Sequence, residues 1–429
     1  MPIPSRALPD LAAALCFLFI LLVPFAAMGL AMINTGLGRS RNAAHMMLSS
    51  LCVIAVAAVV YFAVGFSWQG YAGRPGYAFT VSGKLWNWIA AEPFFWRGLK
   101  MDGSADSLAA LLGMLSVGLA AIIPLGSGAD RWRLGASCAS AAVLAGWTFP
   151  LFAHWVWGGG WLAQLGVNYG LGQGFVDSGG ASTVQAVGGL TALAVTWILG
   201  PRRGKYTADR MPLAIPGHNG VFILSGCFLA WLGWIGLDSA GAILFTGVEA
   251  GRAVLIAANA TLAAVSSLVA VALITRARFG KPDASLCANG WVGGLVASSA
   301  GCAVIPPAAA MIVGLVAGVL VTFSVELLEL HLTVDDPGGA ISVHAVGGLW
   351  GLLAVGIFAD ASGQWIAQLA GIATLLGFVL PMTYALHRLL NRVSPMRAAA
   401  EGERQGLDLH ELGAGAYPDF MSHNDDLQR

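Results

Sequence analysis

Two stretches of this 429-residue chain repeat each other: residues 177–190 read DSGGASTVQAVGGL, and residues 336–349 read DPGGAISVHAVGGL. Each copy sets an acid, Asp177 or Asp336, eight residues ahead of a polar side chain, Gln185 or His344, and then runs into apolar sequence. An imidazole donates or accepts hydrogen bonds and takes up a proton near neutral pH. A carboxamide also donates and accepts but takes up no proton. Such a pair orients a small polar molecule, with His344 alone able to accept a proton. The two acids and the glycine pairs have a simpler explanation, as helix N-caps and close helix contacts. His344 does not, because an ionisable group deep in apolar sequence is costly and usually faces a cavity or pathway.

The elements that must position these residues are membrane spans. Hydrophobic residues make up 57% of the chain, and Asp, Glu, Lys and Arg together only 10%. Ordinary soluble domains carry roughly a quarter charged residues. The 57 glycines suit close packing of transmembrane helices. Net charge is zero and the basic residues are scattered, so nothing points to nucleic acid. The six cysteines form no CxxC pair and read as small buried hydrophobes, and no metal-ligand spacing or nucleophile–base constellation appears. The sequence therefore gives no sign of an enzyme, a cofactor or a metal.

Spanning the hydrocarbon takes roughly 20 apolar residues. Runs of that kind lie near 9–33, 46–67, 106–126, 135–155, 181–200, 217–237, 253–275, 286–304, 306–330, 341–359 and 365–390, which makes eleven. The connections after spans 1, 3, 5 and 7 and the tail after span 11 carry most of the Lys and Arg, among them Arg39, Arg131, Arg202, Arg276 and Arg388. Those segments are expected in the cytoplasm, with the N-terminus outside. The long 68–105 connection also carries basic residues, but long loops obey the rule poorly. Arg6 followed by an apolar run resembles a signal peptide, yet the run is too long and no AxA-like site closes it.

On this topology spans 5 and 10 bring the same motif into the membrane from opposite faces. That is the mark of an inverted repeat, spans 1–5 against 6–10, about an axis in the membrane plane. Eight residues at 1.5 Å each carry Gln185 and His344 about 12 Å inward. In a core about 30 Å thick, both approach the midplane and each other.

Taken together, these residues resemble the ammonium transporter (Amt/Mep/Rh) family. The motif NTGLGRSRN ending at Asn42 is similar to its first cytoplasmic loop. FAHWVWGGGWLA (152–163), DSGGASTVQ (177–185) and GWIGLDSAG (233–241) resemble motifs of its spans 4 to 6, DDPGGAISVHAVGG (335–348) its span 10, and EGERQGLDLHELGAGAY (401–417) its C-terminal tail. The resemblance implies an all-α membrane protein of eleven transmembrane helices in a 5+5 inverted repeat plus a C-terminal helix. The expected transmembrane domain is 1–392, with repeats about 9–200 and 217–359 and a last helix at 365–390. The cytoplasmic tail is then 393–429. A homotrimer in the cell membrane is implied, with one hydrophobic pore per subunit.

In that family two histidines line the pore at the midplane. His344 sits where the second belongs, and Gln185 stands in place of the first. Trp157 matches the outer-vestibule Trp, whose face attracts ammonium by a cation–π contact worth about 1–2 kcal/mol when partly desolvated. The two stacked Phe of the outer gate map by ungapped local alignment onto Leu112 and Leu237, and the recruiting Ser onto Gly241. Trp234 is placed near the pore as a structural residue, with Asp177 and Asp336. About eight residues near 163–176 are inserted. Three readings follow: ammonium or ammonia transport, an ammonium sensor whose tail signals to a PII-type cytosolic regulator, and a channel for another small neutral solute. Saturable ammonium flux separates the first from the others, and binding without flux points to the second.

Overall fold

A backbone inside hydrocarbon must satisfy its own polar groups, and a helix does so within one segment. The computed structural model of the chain describes residues 8–74 and 76–417. In order, the helices are α1 (Asp10–Leu37), α2 (Ser40–Gln69), α3 (Ala105–Gly128), α4 (Leu134–Val156), α5 (Ala181–Leu199), α6 (Gly220–Thr246), α7 (Ala250–Phe279), α8 (Ala284–Ser299), α9 (Pro307–Leu330), α10 (Ile341–Phe358) and α11 (Gln364–Val393). Ten of these are long and apolar enough to cross a membrane. The expected span at 286–304 is the exception: α8 has 16 residues, and the chain then turns through Gly301–Ile305 before Pro306. Arg6 and residues 418–429 of the expected tail lie outside the described residues.

Glycines set the depth of the helix contacts. A Cβ on Gly226 of α6 would sit 2.6 Å from the Gly29 carbonyl oxygen of α1, and one on Gly29 would sit 2.6 Å from that of Gly226. The same reciprocity joins α5 to α10, where Gly189 lies against the backbone of Ala345 and Gly348 against that of Ala186. Each of these two contacts is the image of the other under the 159-residue offset that separates Gln185 from His344.

The two acids of the repeat are caps. The Asp177 carboxylate accepts from the N–H groups of Gly180 (2.9 Å), Ser182 (2.9 Å) and Thr183 (3.1 Å) and from the Ser182 hydroxyl (2.5 Å). Asp336 accepts from the N–H groups of Ala340 (3.0 Å) and Ile341 (2.8 Å) and from the Ser127 hydroxyl (2.6 Å). Gly180 (φ 91°) and Gly339 (φ 65°) take the left-handed turn ahead of each helix, a conformation that favours glycine. Both helices then open with a widened π turn, Ala181–Ala186 and Ile341–Val346.

The long connection between α2 and α3 departs from the all-α expectation. It folds as an antiparallel hairpin, β1 (Gly76–Val81) with β2 (Lys84–Ala90). Its turn residues Ser82 (φ 51°) and Gly83 (φ 75°) both have positive φ, the signature of a two-residue hairpin turn. Alternating residues in YAFTVSGKLWNWIA carry that signal. The inserted stretch after Trp157 forms a short helix, Leu165–Tyr169, over the same end of the bundle, where the Gln164 side chain accepts from the Asn87 N–H at 3.0 Å.

At the opposite end the tail is fastened to α2 and α4. Asp408 accepts from the N–H groups of Ala44 (3.2 Å) and His45 (2.7 Å), capping the start of α2. Glu411 accepts from the Leu134 N–H (2.9 Å) and the His45 ring (2.9 Å), with Arg133 3.9 Å away. Burial opposes ionisation of Glu411, but these bonds and charges outweigh it and hold the carboxyl below its ordinary range.

Gly226→Leu should abolish a monodisperse peak in detergent chromatography, because overpacking costs about 1–3 kcal/mol and here meets backbone. Gly135→Leu, with open space around its Cβ, should keep the peak. For the tail, the docked carboxyl has the depressed pKa. Docking is therefore favoured above the ordinary Glu value and is lost as pH falls through the depressed one. Limited proteolysis of the tail should accelerate on acidification through that window. Glu411→Gln should cleave readily at neutral pH with a weaker pH dependence.

Candidate functional site

The widened first turns of α5 and α10 face each other and carry the two expected pore residues into contact. His344 Nδ1 lies 2.8 Å from Gln185 Oε1. A carbonyl oxygen only accepts, so Nδ1 donates and Nε2 is left as an acceptor. Among the described residues no protein group bonds that Nε2, nor the buried Gln185 amide nitrogen. Gln185 is fully enclosed, whereas His344 keeps 4% of its surface accessible. The pair thus presents one free acceptor and one free donor.

Trp234 of α6 forms a wall beside the pair. Its ring is tilted 28° from the imidazole with centroids 6.5 Å apart, and its indole N–H donates to the Ser299 hydroxyl at 3.2 Å. Leu112 on α3 and Leu237 on α6 are both fully buried in the main apolar core. Gly241 has a packing reason to lack a side chain: a Cβ there would strike the Ser178 carbonyl oxygen.

Trp157 ends α4, and its indole N–H donates to the Asp177 carbonyl at 2.8 Å, tying it to the loop before α5. Its ring is buried, and Phe245 lies flat upon one face, with centroids 4.3 Å apart and planes 8° apart. Tyr71 braces that stack from the other side, 6.3 Å from Phe245, while its hydroxyl donates to the Leu244 carbonyl at 2.9 Å.

Reading the sequence alone missed Phe245, Tyr71 and Asp238. Phe245 lies four residues beyond the GWIGLDSAG motif, and Tyr71 lies in a connection where aromatics are common. Asp238 lies within that motif and was the recoverable one, as an acid in an apolar span. No group of three or more His, Cys, Asp or Glu suited to a metal occurs among the described residues.

A membrane-crossing bundle that buries a hydrogen-bonding, protonatable pair between two reciprocally packed helices has the form of a transport protein. The chain belongs to the Ammonium Transporter Family, whose family model matches residues 14–417, and whose members are membrane transporters rather than enzymes. It is 36% identical over 433 residues to ammonium transporter Amt2 of Archaeoglobus fulgidus, spanning 95% of this chain and 88% of that one. It is 29% identical to the ammonium transporter of Bacillus subtilis, spanning 94% and 98%. Among solved structures it is similar to a sensor Amt protein with a TM-score of 0.84 at 27% identity, over 94% of this chain and 98% of that one. It shares the fold of Candida albicans Mep2, with a TM-score of 0.79 over 95% and 90% of the chains at 23% identity.

If Phe245 is what closes off the Trp157 face, Phe245→Ala should raise hydroxyl-radical labelling of Trp157 several-fold, read by mass spectrometry. Equal labelling in the two proteins would show that something else covers the ring.

Proposed function

We propose that the chain carries ammonium or ammonia across the cell membrane through one narrow pore per subunit, past the Gln185–His344 pair. The observation that carries this reading is the free His344 Nε2 acceptor beside the free Gln185 amide donor, buried within a bundle of this family. Ammonia has a lone pair and N–H donors, so it complements both groups. A bare ammonium ion in an apolar channel costs many kcal/mol of desolvation. The cation is therefore held first at the Trp157 end, and uncharged ammonia passes the pair.

Trp157 recruits only when its face is open, so Phe245 serves as the outer gate in place of an aromatic pair at Leu112 and Leu237. Gly241 is left with a packing role. Asp177, Asp336 and Trp234 hold the pathway in shape. The reciprocal contacts of α1 with α6 and of α5 with α10 support an inverted repeat of about 9–200 against 217–359. A homotrimer with an external N-terminus and a cytoplasmic tail follows from the family and the loop charges. The docked tail, joined to α2 and α4, then offers a PII-type regulator a handle on the bundle.

A second reading has its own support in the likeness to a sensor Amt protein. There the same site binds ammonium and conducts poorly, and the tail reports occupancy. The deciding experiment is an ammonium jump on purified protein in liposomes on a solid-supported membrane. Transport predicts a saturable current that falls at least tenfold in His344→Ala at equal protein level, and an unchanged current would remove His344 from the pathway. Gln185→His should raise the charge moved, since it restores a second protonatable group. Binding of methylammonium without current favours the sensor, and silence in both assays favours another neutral solute.

A further inference from the structure

One ionisable side chain on the pathway face of α6 takes no part in the pair. Trp234, Asp238 and Gly241 follow at i, i+4 and i+7 and therefore share a face. Trp234 lies beside His344 and Gly241 lies against Ser178, so Asp238 sits between the midplane pair and the loop that holds Trp157. Its side chain is fully buried, and among the described residues neither carboxyl oxygen receives a geometrically sound hydrogen bond; the neighbouring Ser299 hydroxyl gives its hydrogen to the Leu295 carbonyl at 2.9 Å. Among the described residues no Lys, Arg or His forms an ion pair with it.

The surroundings are shaped around this carboxyl. Gly179 leaves the space, since a Cβ there would collide with Asp238 Oδ1, and the Gly179 N–H donates to the Ser299 carbonyl at 2.9 Å. Ser299 in turn accepts from Trp234, which links the acid's neighbourhood to the wall of the His344 site. Among the described residues the Ser178 and Ser239 hydroxyls in the same segments are also buried without partners. The nearest other acid, Asp177, is a contrast, because Gly180, Ser182 and Thr183 saturate it. A buried, unpartnered carboxyl is expensive to keep, and in membrane spans such groups mark ion and proton pathways.

We propose that Asp238 takes the proton from ammonium before ammonia reaches the Gln185–His344 pair. The inference rests on the transport reading above and supplies the acceptor that Gln185 cannot be. In the step one N–H bond of ammonium breaks, its electron pair stays on nitrogen as ammonia, and an O–H bond forms on the Asp238 carboxylate. A cation and an anion become two neutral species, so the product suits the apolar pore. The carboxyl ionises again when its O–H bond breaks and a water molecule entering the pathway takes the proton as hydronium, and net charge crosses only when that proton leaves at the face opposite the one from which the ammonium came.

The test compares wild type with the near-isosteric Asp238→Asn variant in the same liposome assay. The expected result is at least a tenfold loss of ammonium-driven current, with retained ammonium binding. Infrared difference spectra on adding ammonium should show a protonated-carboxyl stretch in wild type that is missing in Asp238→Asn and displaced in Asp238→Glu. Should Asp238→Asn fail to fold, the spectra of wild type and Asp238→Glu decide, and the absence of any new carboxyl band overturns the proposal. A current that survives intact in Asp238→Asn overturns it while leaving the transport reading in place. A wild type with neither current nor flux removes the transport reading, and this proposal with it.

Discussion

The meeting of α5 and α10 at backbone distance is the constraint on which the site depends. Gly189 against Ala345 and Gly348 against Ala186 put no side chain on the glycine side of either contact, so the two backbones meet closely. Only at that separation can Gln185 Oε1 come within 2.8 Å of His344 Nδ1. The contact also requires both helices to begin at fixed points, which the Asp177 and Asp336 caps provide. The widened turns that follow alter the facing of residues 185 and 344 in the same way, because both copies carry the same element.

What holds α10 in position lies at the tail end of the bundle. Asp335, next to the Asp336 cap, accepts from the Arg202 N–H (2.8 Å) and from its guanidinium (2.9 Å), and Arg202 also reaches Asp130 at 3.1 Å. Arg131, fully buried, donates to the backbone carbonyls of Gly200 and Asp335. Burial alone would raise the Asp335 pKa, but Arg202 and Arg131 reverse that and keep the carboxyl below its ordinary range. Burial pushes Arg131 down to about 10, which still leaves it charged at neutral pH. This network joins the ends of α3 and α5 to the loop that leads into α10. Arg397 extends it to the tail through Glu403 (2.6 Å) and the Leu199 carbonyl (2.7 Å). A change in tail docking therefore has a short, continuous route to the loop that sets the height of His344.

Much of this was legible in the residues. The internal repeat identified the pair and its caps because a repeat carries spacing information that needs no partner. Apolar runs located the helices for the same reason: each helix satisfies its own backbone. Contacts between helices were not legible. Phe245, in the last turn of α6, stacks on Trp157, the residue that follows α4, and no spacing within either helix encodes that meeting. The reason for glycine at 241 is also a tertiary one, the Ser178 carbonyl lying where its Cβ would be. The hairpin of β1 and β2 was locally encoded by its alternation and turn, but a pattern of 20-residue apolar runs passes over strands of six and seven residues.

An amide paired with an imidazole differs from two paired imidazoles in how the pair reverses, as well as in whether it carries a proton. Two imidazoles sharing a hydrogen bond invert their polarity when the shared proton crosses between rings and the outer nitrogens exchange theirs. In the Gln185–His344 pair the carbonyl fixes Nδ1 as donor and Nε2 as acceptor. To invert it, the Gln185 amide must rotate so that its nitrogen donates to Nδ1, and the imidazole must move its own proton to Nε2. The first of these is a side-chain rotation in a fully buried position, where neighbours on every side resist it. The pair therefore has a fixed hydrogen-bonding polarity, with the acceptor Nε2 on the side away from Gln185. Any proton that accompanies ammonium must be handled by a group other than Gln185, which makes a carboxyl on the facing helix consequential instead of incidental.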